Sequence, residues 1–75
     1  MAEESVASEI TGTVWKIELA PGDEVAEDDV IMILESMKME IPVLAPTTGI
    51  LAEILVDEGA PVSEGQVVAK LTTRS

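Results

Sequence analysis

Two stretches of this chain decide its fold: TGTVWKIELAPGDEVAEDDVIMILES at residues 11–36 and TGILAEILVDEGAPVSEGQVVAKLTT at residues 48–73. A shift of 37 positions lays the first on the second without a gap. The glycines of the two stretches align at two places, and glycine marks backbone that needs a positive φ or a close approach. We interpret the pattern as an internal duplication. The identical pairs are Thr11/Thr48, Gly12/Gly49, Ile17/Ile54, Gly22/Gly59, Val25/Val62, Glu27/Glu64, Val30/Val67 and Leu34/Leu71.

Each copy has the pattern of a strand, a turn, a short strand, a turn and a closing strand. Trp15, Ile17 and Leu19 repeat with a period of two, and Ile54 and Val56 hold the same phase in the second copy. Turn residues lie at 21–22 and 28–29 and, in the second copy, at 58–59 and 64–65. Residues 30–34 and 67–71 then form the closing strands, so each copy is built from strands alone.

Asp28 of the first copy aligns with Gly65, so one turn glycine of the second copy has a non-glycine residue at its equivalent position. Asp enters the left-handed backbone region more readily than most residues, so we expect both turns to have the same shape.

The chain is therefore predicted to be an all-β single domain over residues 1–75, with residues 1–5 flexible. We expect about eight short strands in a flattened barrel or sandwich of two antiparallel sheets, related by a pseudo-twofold axis. Ile31, Ile33, Leu51 and Leu55 fall in the opposite phase, and alternation does not place them. The predicted core is Trp15, Ile17, Leu19, Val25, Val30, Met32, Leu34, Ile54, Val56, Val62, Val67, Ala69 and Leu71.

Composition excludes several classes of function. The 75 residues contain no Cys and no His, which removes disulfides, thiolate zinc sites and the commonest general base. Fifteen acidic residues against four basic ones give a net charge of −11, which repels nucleic acid and anionic lipid. The acidic start and the lack of a long apolar run predict a cytoplasmic protein without membrane contact.

The join between the copies breaks a local rule. One extended segment precedes Met37 and Lys38 and another follows them, which places these two residues at the tip of a hairpin. Two-residue hairpin turns favour Asn-Gly or Asp-Gly, because both positions need a positive φ. Departures from local rules concentrate where function overrides stability. An exposed lysine amine is a nucleophile that forms a stable amide with an activated carboxylate.

A plainer interpretation stays open from the residues alone. An exposed lysine commonly serves solubility, and Met37 and Met39 are also compatible with ordinary packing. Lys38 is, however, one of only four basic residues and lies between the two copies.

The segment Glu35-Ser36-Met37-Lys38-Met39-Glu40 resembles the attachment signature of the biotinyl domains of biotin-dependent carboxylases, whose core is Met-Lys-Met. The resemblance runs from about residue 10 to 73 and is closest to the small stand-alone biotin attachment proteins. It implies a biotin carboxyl carrier in which Lys38 bears covalent biotin and Met37 and Met39 are flanks recognised by the ligase.

The resemblance also implies partners and a cycle. A biotin protein ligase attaches the cofactor; a biotin carboxylase then charges it, and a carboxyltransferase moves the carboxyl group to an acceptor. The carrier catalyses neither step and is expected to be a monomer in isolation.

Two alternatives belong to other classes. A lipoyl domain shares the architecture but places Asp before its lysine, where this chain has Met37. An interaction module that is never modified is the second. An enzyme is disfavoured, because the sequence has no Cys-His or Ser-His arrangement. Asp23, Asp28 and Asp29 lack the spacing of a calcium loop, so no metal site is predicted.

Overall fold

Eight strands make up the protein in a computed structural model that describes residues 2–73. They form two four-stranded antiparallel sheets, which confirms the predicted all-β class and two-sheet arrangement. Residues 2–73 contain no helix that could span a membrane. The strands are β1 (Ala2–Ala7), β2 (Gly12–Ile17), β3 (Glu24–Val25), β4 (Val30–Ser36), β5 (Met39–Leu44), β6 (Gly49–Ile54), β7 (Pro61–Val62) and β8 (Val67–Thr73).

The two copies of the repeat are interleaved in the sheets. One sheet has the order β1-β8-β6-β3 and the other the order β5-β4-β2-β7. Each sheet therefore takes strands from both copies, and neither copy can bury its apolar side chains alone. Together the two sheets enclose one hydrophobic core.

The duplication is longer than the sequence alignment indicated. Strand β1 is the counterpart of β5, since the same shift of 37 positions relates Ala2–Ala7 to Met39–Leu44. The pairing of Ala2 with Thr73 likewise matches the pairing of Met39 with Ser36. Polar residues give β1 almost no apolar periodicity, so its backbone pairing with β8 had no signal in the sequence. Residues 2–5, expected to be flexible, lie in this paired strand; Met1 lies outside the described residues.

Four β-bulges interrupt the alternation of the strands, again at equivalent positions of the two copies. Trp15 and Ala52 are the extra residues where β2 meets β4 and β6 meets β8, and Ile31 and Val68 where β4 meets β5 and β8 meets β1. A bulge sets two residues of one strand opposite one of the next, so the period of two is lost there. The phase carried through Trp15 was therefore wrong at that residue.

The bulges explain part of the difference between the observed core and the predicted one. The prediction was wrong for Trp15, which is 48% exposed, while its neighbour Val14 is buried. Ile31 and Leu51, left unplaced by alternation, are fully buried, whereas Ile33 is half-buried and Leu55 exposed. The predicted residues confirmed as buried are Val25, Met32, Leu34, Val62, Ala69 and Leu71; those partly buried are Ile17, Leu19, Val30, Ile54, Val56 and Val67; those missed are Val6, Val14, Ile31, Val43, Ala45, Leu51 and Val68.

The turns confirm the predicted equivalence of Asp28 and Gly65. Their φ values are 73° and 86°, both in the left-handed region. Each turn closes on a backbone hydrogen bond of 3.0 Å, from Asp29 N to Ala26 O and from the equivalent Gln66 N to the carbonyl three residues before it. The Asp29 carboxylate also accepts a hydrogen bond from the Ala26 amide at 2.8 Å. Asp28 thus adopts a glycine-like conformation within a well-bonded turn.

Candidate functional site

The hairpin of β4 and β5 carries Lys38 at its tip, as the sequence predicted. The last paired residues are Ser36 and Met39, so only Met37 and Lys38 make the turn. Their φ values are 52° and 66°. A positive φ at both central residues is the mark of a type I′ turn, whose twist matches that of the flanking strands.

This turn is built from residues that do not favour it. The left-handed region costs a residue with a Cβ about 1–2 kcal/mol relative to the right-handed one. Besides Met37 and Lys38, Asp28 is the only non-glycine residue among residues 2–73 with a positive φ. The strain is therefore concentrated at the lysine-bearing tip, which is consistent with a sequence retained there for chemistry rather than stability.

The side chains at the tip project into solvent. Met37 is 92% exposed and Met39 is 64% exposed, and Lys38 between them is exposed as well. Methionines this exposed contribute little to the packing of the core. Because no body of protein surrounds the Lys38 amine, a second protein can approach it from most directions.

The other two lysines have different surroundings. Lys16 lies in β2 and forms an ion pair with Glu18, with 3.6 Å between Nζ and Oε1. Lys70 lies in the middle of β8, half-buried, with Ser5 and Glu53 opposite it on the neighbouring strands. Of the three lysines, all of which the structure describes, only Lys38 lies in a turn between two paired strands.

The base of the hairpin is fixed against β2. A Cβ added to Gly12 would lie 2.5 Å from the carbonyl oxygen of Glu35, so only glycine allows the two backbones to come this close. The Ser36 hydroxyl donates a hydrogen bond of 3.1 Å to the Thr11 carbonyl oxygen. Sequence reasoning missed these contacts as part of the site, although the Thr-Gly identity of the two copies marked the position.

Carboxylates lie one residue pair behind the tip. Glu35 on β4 is directly opposite Glu40 on β5, and both are exposed. Opposed side chains in an antiparallel pair have Cβ atoms about 4.5–5.5 Å apart, and like charges there are unfavourable. The end of the hairpin therefore combines two thioethers and an amine, with an acidic band immediately below.

The aspartates near the turns have structural partners. Asp23 accepts a hydrogen bond from the Ala20 amide at 2.9 Å, as Asp29 does from Ala26. Within residues 2–73 no group of three or more acidic side chains is arranged to hold a metal ion. These carboxylates serve the turns.

Comparison with known proteins gives a match over nearly the whole chain. The family described as "Biotin-requiring enzyme" matches residues 2–71. The biotin/lipoyl attachment protein of Bacillus subtilis is 40% identical over 68 residues, which is 91% of this chain and 93% of that protein. A biotinylated protein TB7.3 homolog of Mycobacterium leprae is 39% identical over 69 residues, covering 92% of this chain and 97% of the relative.

Two larger proteins contain a similar unit. The urea carboxylase of Kluyveromyces lactis superposes with a TM-score of 0.91 and 38% identity, covering 96% of this chain and 6% of that one. The dihydrolipoyllysine-residue succinyltransferase component of the 2-oxoglutarate dehydrogenase complex of Azotobacter vinelandii is 39% identical over 69 residues, covering 92% of this chain and 16% of the relative. The architecture thus occurs both alone and within multidomain enzymes.

Proposed function

Because the chain belongs to the biotin-requiring enzyme family, we propose that it is a biotin carboxyl carrier domain with biotin attached to Lys38. The observation that carries this proposal is the position of the Lys38 amine, exposed at a two-residue turn between Met37 and Met39. The small relatives that this chain spans almost end to end are named for biotin or lipoyl attachment and for biotinylation.

Attachment requires only an accessible amine from this chain. The Lys38 amine would attack the acyl carbon of biotinyl-adenylate, so that the amide C–N bond forms as the acyl C–O bond to the phosphate breaks. AMP would leave, and a general base would take the proton from the amine nitrogen. A biotin protein ligase supplies the activated acid and the general base. The domain contributes an unhindered nucleophile at the tip of a hairpin. The base of this hairpin packs against β2, through the close approach at Gly12 and the hydrogen bond of Ser36.

Transport follows from the same geometry. When bound, biotin supplies a ring nitrogen that holds a carboxyl group during transfer between two active sites. The chain contributes a rigid two-sheet body and a protruding tip, which together deliver the end of a long flexible arm. We propose a biotin carboxylase and a carboxyltransferase as partners, a monomeric carrier, and no catalysis of either step by the carrier itself.

Lipoate on Lys38 is the alternative that a specific observation favours. One relative in the comparison is a dihydrolipoyllysine-residue transferase at 39% identity. The residue before the lysine speaks for biotin, because it is Met37 here and Asp is typical of lipoyl domains. An interaction module that is never modified is the remaining alternative.

The mass of the intact protein purified from its native cell separates the three. Biotin predicts an added biotinyl group that binds avidin, lipoate predicts an added lipoyl group, and the interaction module predicts the unmodified mass. A matched pair of variants then tests the flank: Met37→Asp should slow biotinylation and favour lipoylation, whereas Met37→Leu should leave biotinylation near its original rate. Equal biotinylation rates for Met37→Asp and the original chain would show that the flank does not select the cofactor.

A further inference from the structure

The thioethers of this chain are distributed unevenly between core and surface. Of the three methionines within residues 2–73, Met32 is fully buried in β4, while Met37 and Met39 are 92% and 64% exposed. The chain has no cysteine. Its accessible sulfur, within the described residues, is therefore confined to the two positions that flank Lys38.

From this arrangement we infer that Met37 and Met39 are a reversible oxidation site that controls whether Lys38 is modified; this inference rests on the proposed biotin attachment. Peroxide is the oxidant, and a methionine sulfoxide reductase is the partner that restores the thioether. The oxidation needs no cofactor. A sulfur lone pair attacks one peroxide oxygen, the O–O bond breaks, an S–O bond forms, and the departing hydroxide takes up a proton as water.

Oxidation at the tip does not damage the fold. Sulfoxide formation inside a core disrupts packing, because it turns an apolar side chain into a polar one. Met37 and Met39 make no part of the hydrophobic core, which holds Met32 instead. The two exposed thioethers can therefore change state while both sheets remain intact.

Recognition of the tip does change. Met37 in the turn and Met39 in the last strand pair are the exposed large apolar side chains at this end of the hairpin, and Glu35 and Glu40 form the next pair behind them. Thioethers suit an interface because they are soft and adapt to a partner's surface. Two sulfoxides would replace that apolar surface with hydrogen-bond acceptors on both sides of the amine, and a ligase pocket shaped for methionine loses its contact.

The oxidation of Met37 and Met39 can be reversed. Reduction of each sulfoxide consumes two thiols from the reductase, which end as a disulfide, and releases the oxygen as water. Both sulfurs are accessible in the folded chain, so the reductase acts without unfolding the domain. The site thus reports peroxide and returns to its first state when thiol reductant is available.

The test uses the unmodified chain, dilute hydrogen peroxide and a purified biotin protein ligase, with peroxide removed before the ligase is added. Peptide mapping should show one added oxygen on Met37 and on Met39 while Met32 remains unoxidised. The initial rate of biotin transfer should fall about tenfold or more, the scale on which a hydrophobic pocket rejects a poorly fitting group. Treatment with thiol and the two methionine sulfoxide reductases, one for each sulfoxide epimer, should restore the original rate.

The double variant Met37→Leu/Met39→Leu is the matched control, since leucine keeps an apolar side chain of similar volume and has no sulfur. Its biotin transfer should be insensitive to peroxide. Oxidation of Met32 as fast as Met37, an oxidised chain that takes biotin at the untreated rate, or an equal loss in the leucine variant would each overturn the inference. An untreated chain that takes no biotin contradicts the proposed function instead. Peptide mapping of the peroxide-treated chain would still show whether Met37 and Met39 are the residues oxidised.

Discussion

Gly12 lies so close to Glu35 that a Cβ on residue 12 would come within 2.5 Å of the Glu35 carbonyl oxygen. At Gly49, its counterpart in the second copy, an added Cβ would likewise lie 2.5 Å from the carbonyl oxygen of Thr72. The first contact fixes the base of the lysine hairpin, and the second fixes the paired terminal strands. The duplication therefore provides two equivalent contacts, of which only one touches the proposed attachment site.

Replacing Gly12 by Ala should disturb both stability and biotinylation. We expect the free energy of unfolding to fall by about 1–3 kcal/mol, the range for overpacking a well-packed site. The displaced Glu35 backbone should also slow biotin transfer to Lys38. Gly49→Ala is the control, with a similar loss of stability and little change in transfer rate. Equal transfer rates for two folded variants would show that the Gly12 contact does not position the tip.

The strained turn predicts a gain in stability when the attachment sequence is removed. Asn and Gly in place of Met37 and Lys38 should raise the free energy of unfolding by about 1 kcal/mol, because both residues accept a positive φ. The entropy that glycine loses on folding reduces the gain. Denaturant unfolding followed by circular dichroism measures the change, and this variant should take no biotin.

Met39→Gly is the control for that substitution. Met39 begins β5 and is not among the residues with a positive φ. Glycine there should lower the free energy of unfolding by about 0.5–1 kcal/mol. A turn variant no more stable than the original chain would contradict the view that function keeps Met37 and Lys38 in an unfavourable conformation.

The position of Trp15 outside the core predicts a small effect of its removal. Trp15→Ala should cost about 1 kcal/mol of unfolding free energy, the typical effect of a point substitution. Leu34→Ala, which empties a fully buried site, should cost about 2–5 kcal/mol. Chemical denaturation of both variants checks the order. A larger loss for Trp15→Ala than for Leu34→Ala would place the tryptophan in the core after all.

Trp15 also shows where prediction from the sequence stopped. The 37-residue repeat, glycine spacing and alternation were enough for the duplication, the all-β class and the turn at Asp28, since each leaves a mark in the sequence itself. A β-bulge depends on how a strand meets its neighbour, which no single strand reveals. The phase was therefore lost at Trp15, and the burial of Ile31 could not be assigned. The pairing of β1 was hidden for a related reason, because backbone hydrogen bonds carry it and its side chains are mostly polar.

For the site, the extended segments on either side located Lys38 at the hairpin tip, and the conflict of the Met-Lys pair with turn preference indicated that the tip has a function. The contact of Gly12 with Glu35 was beyond reach, since it joins residues far apart in the chain and follows from how β2 and β4 pack. The mismatch between Met37-Lys38 and turn preference is visible in two adjacent residues of the sequence. The contact that holds the base of the hairpin is visible only in the folded structure.

Treatment of the purified chain with a biotin protein ligase, followed by peptide mapping, shows which amine accepts biotin. Lys16, Lys38 and Lys70 are the only lysines, so the map distinguishes every side-chain amine. We expect biotin on Lys38 alone and no labelling of Lys38→Arg, which keeps the charge but lacks the nucleophilic amine. Biotin on Lys16 or Lys70, or undiminished labelling of Lys38→Arg, would contradict it.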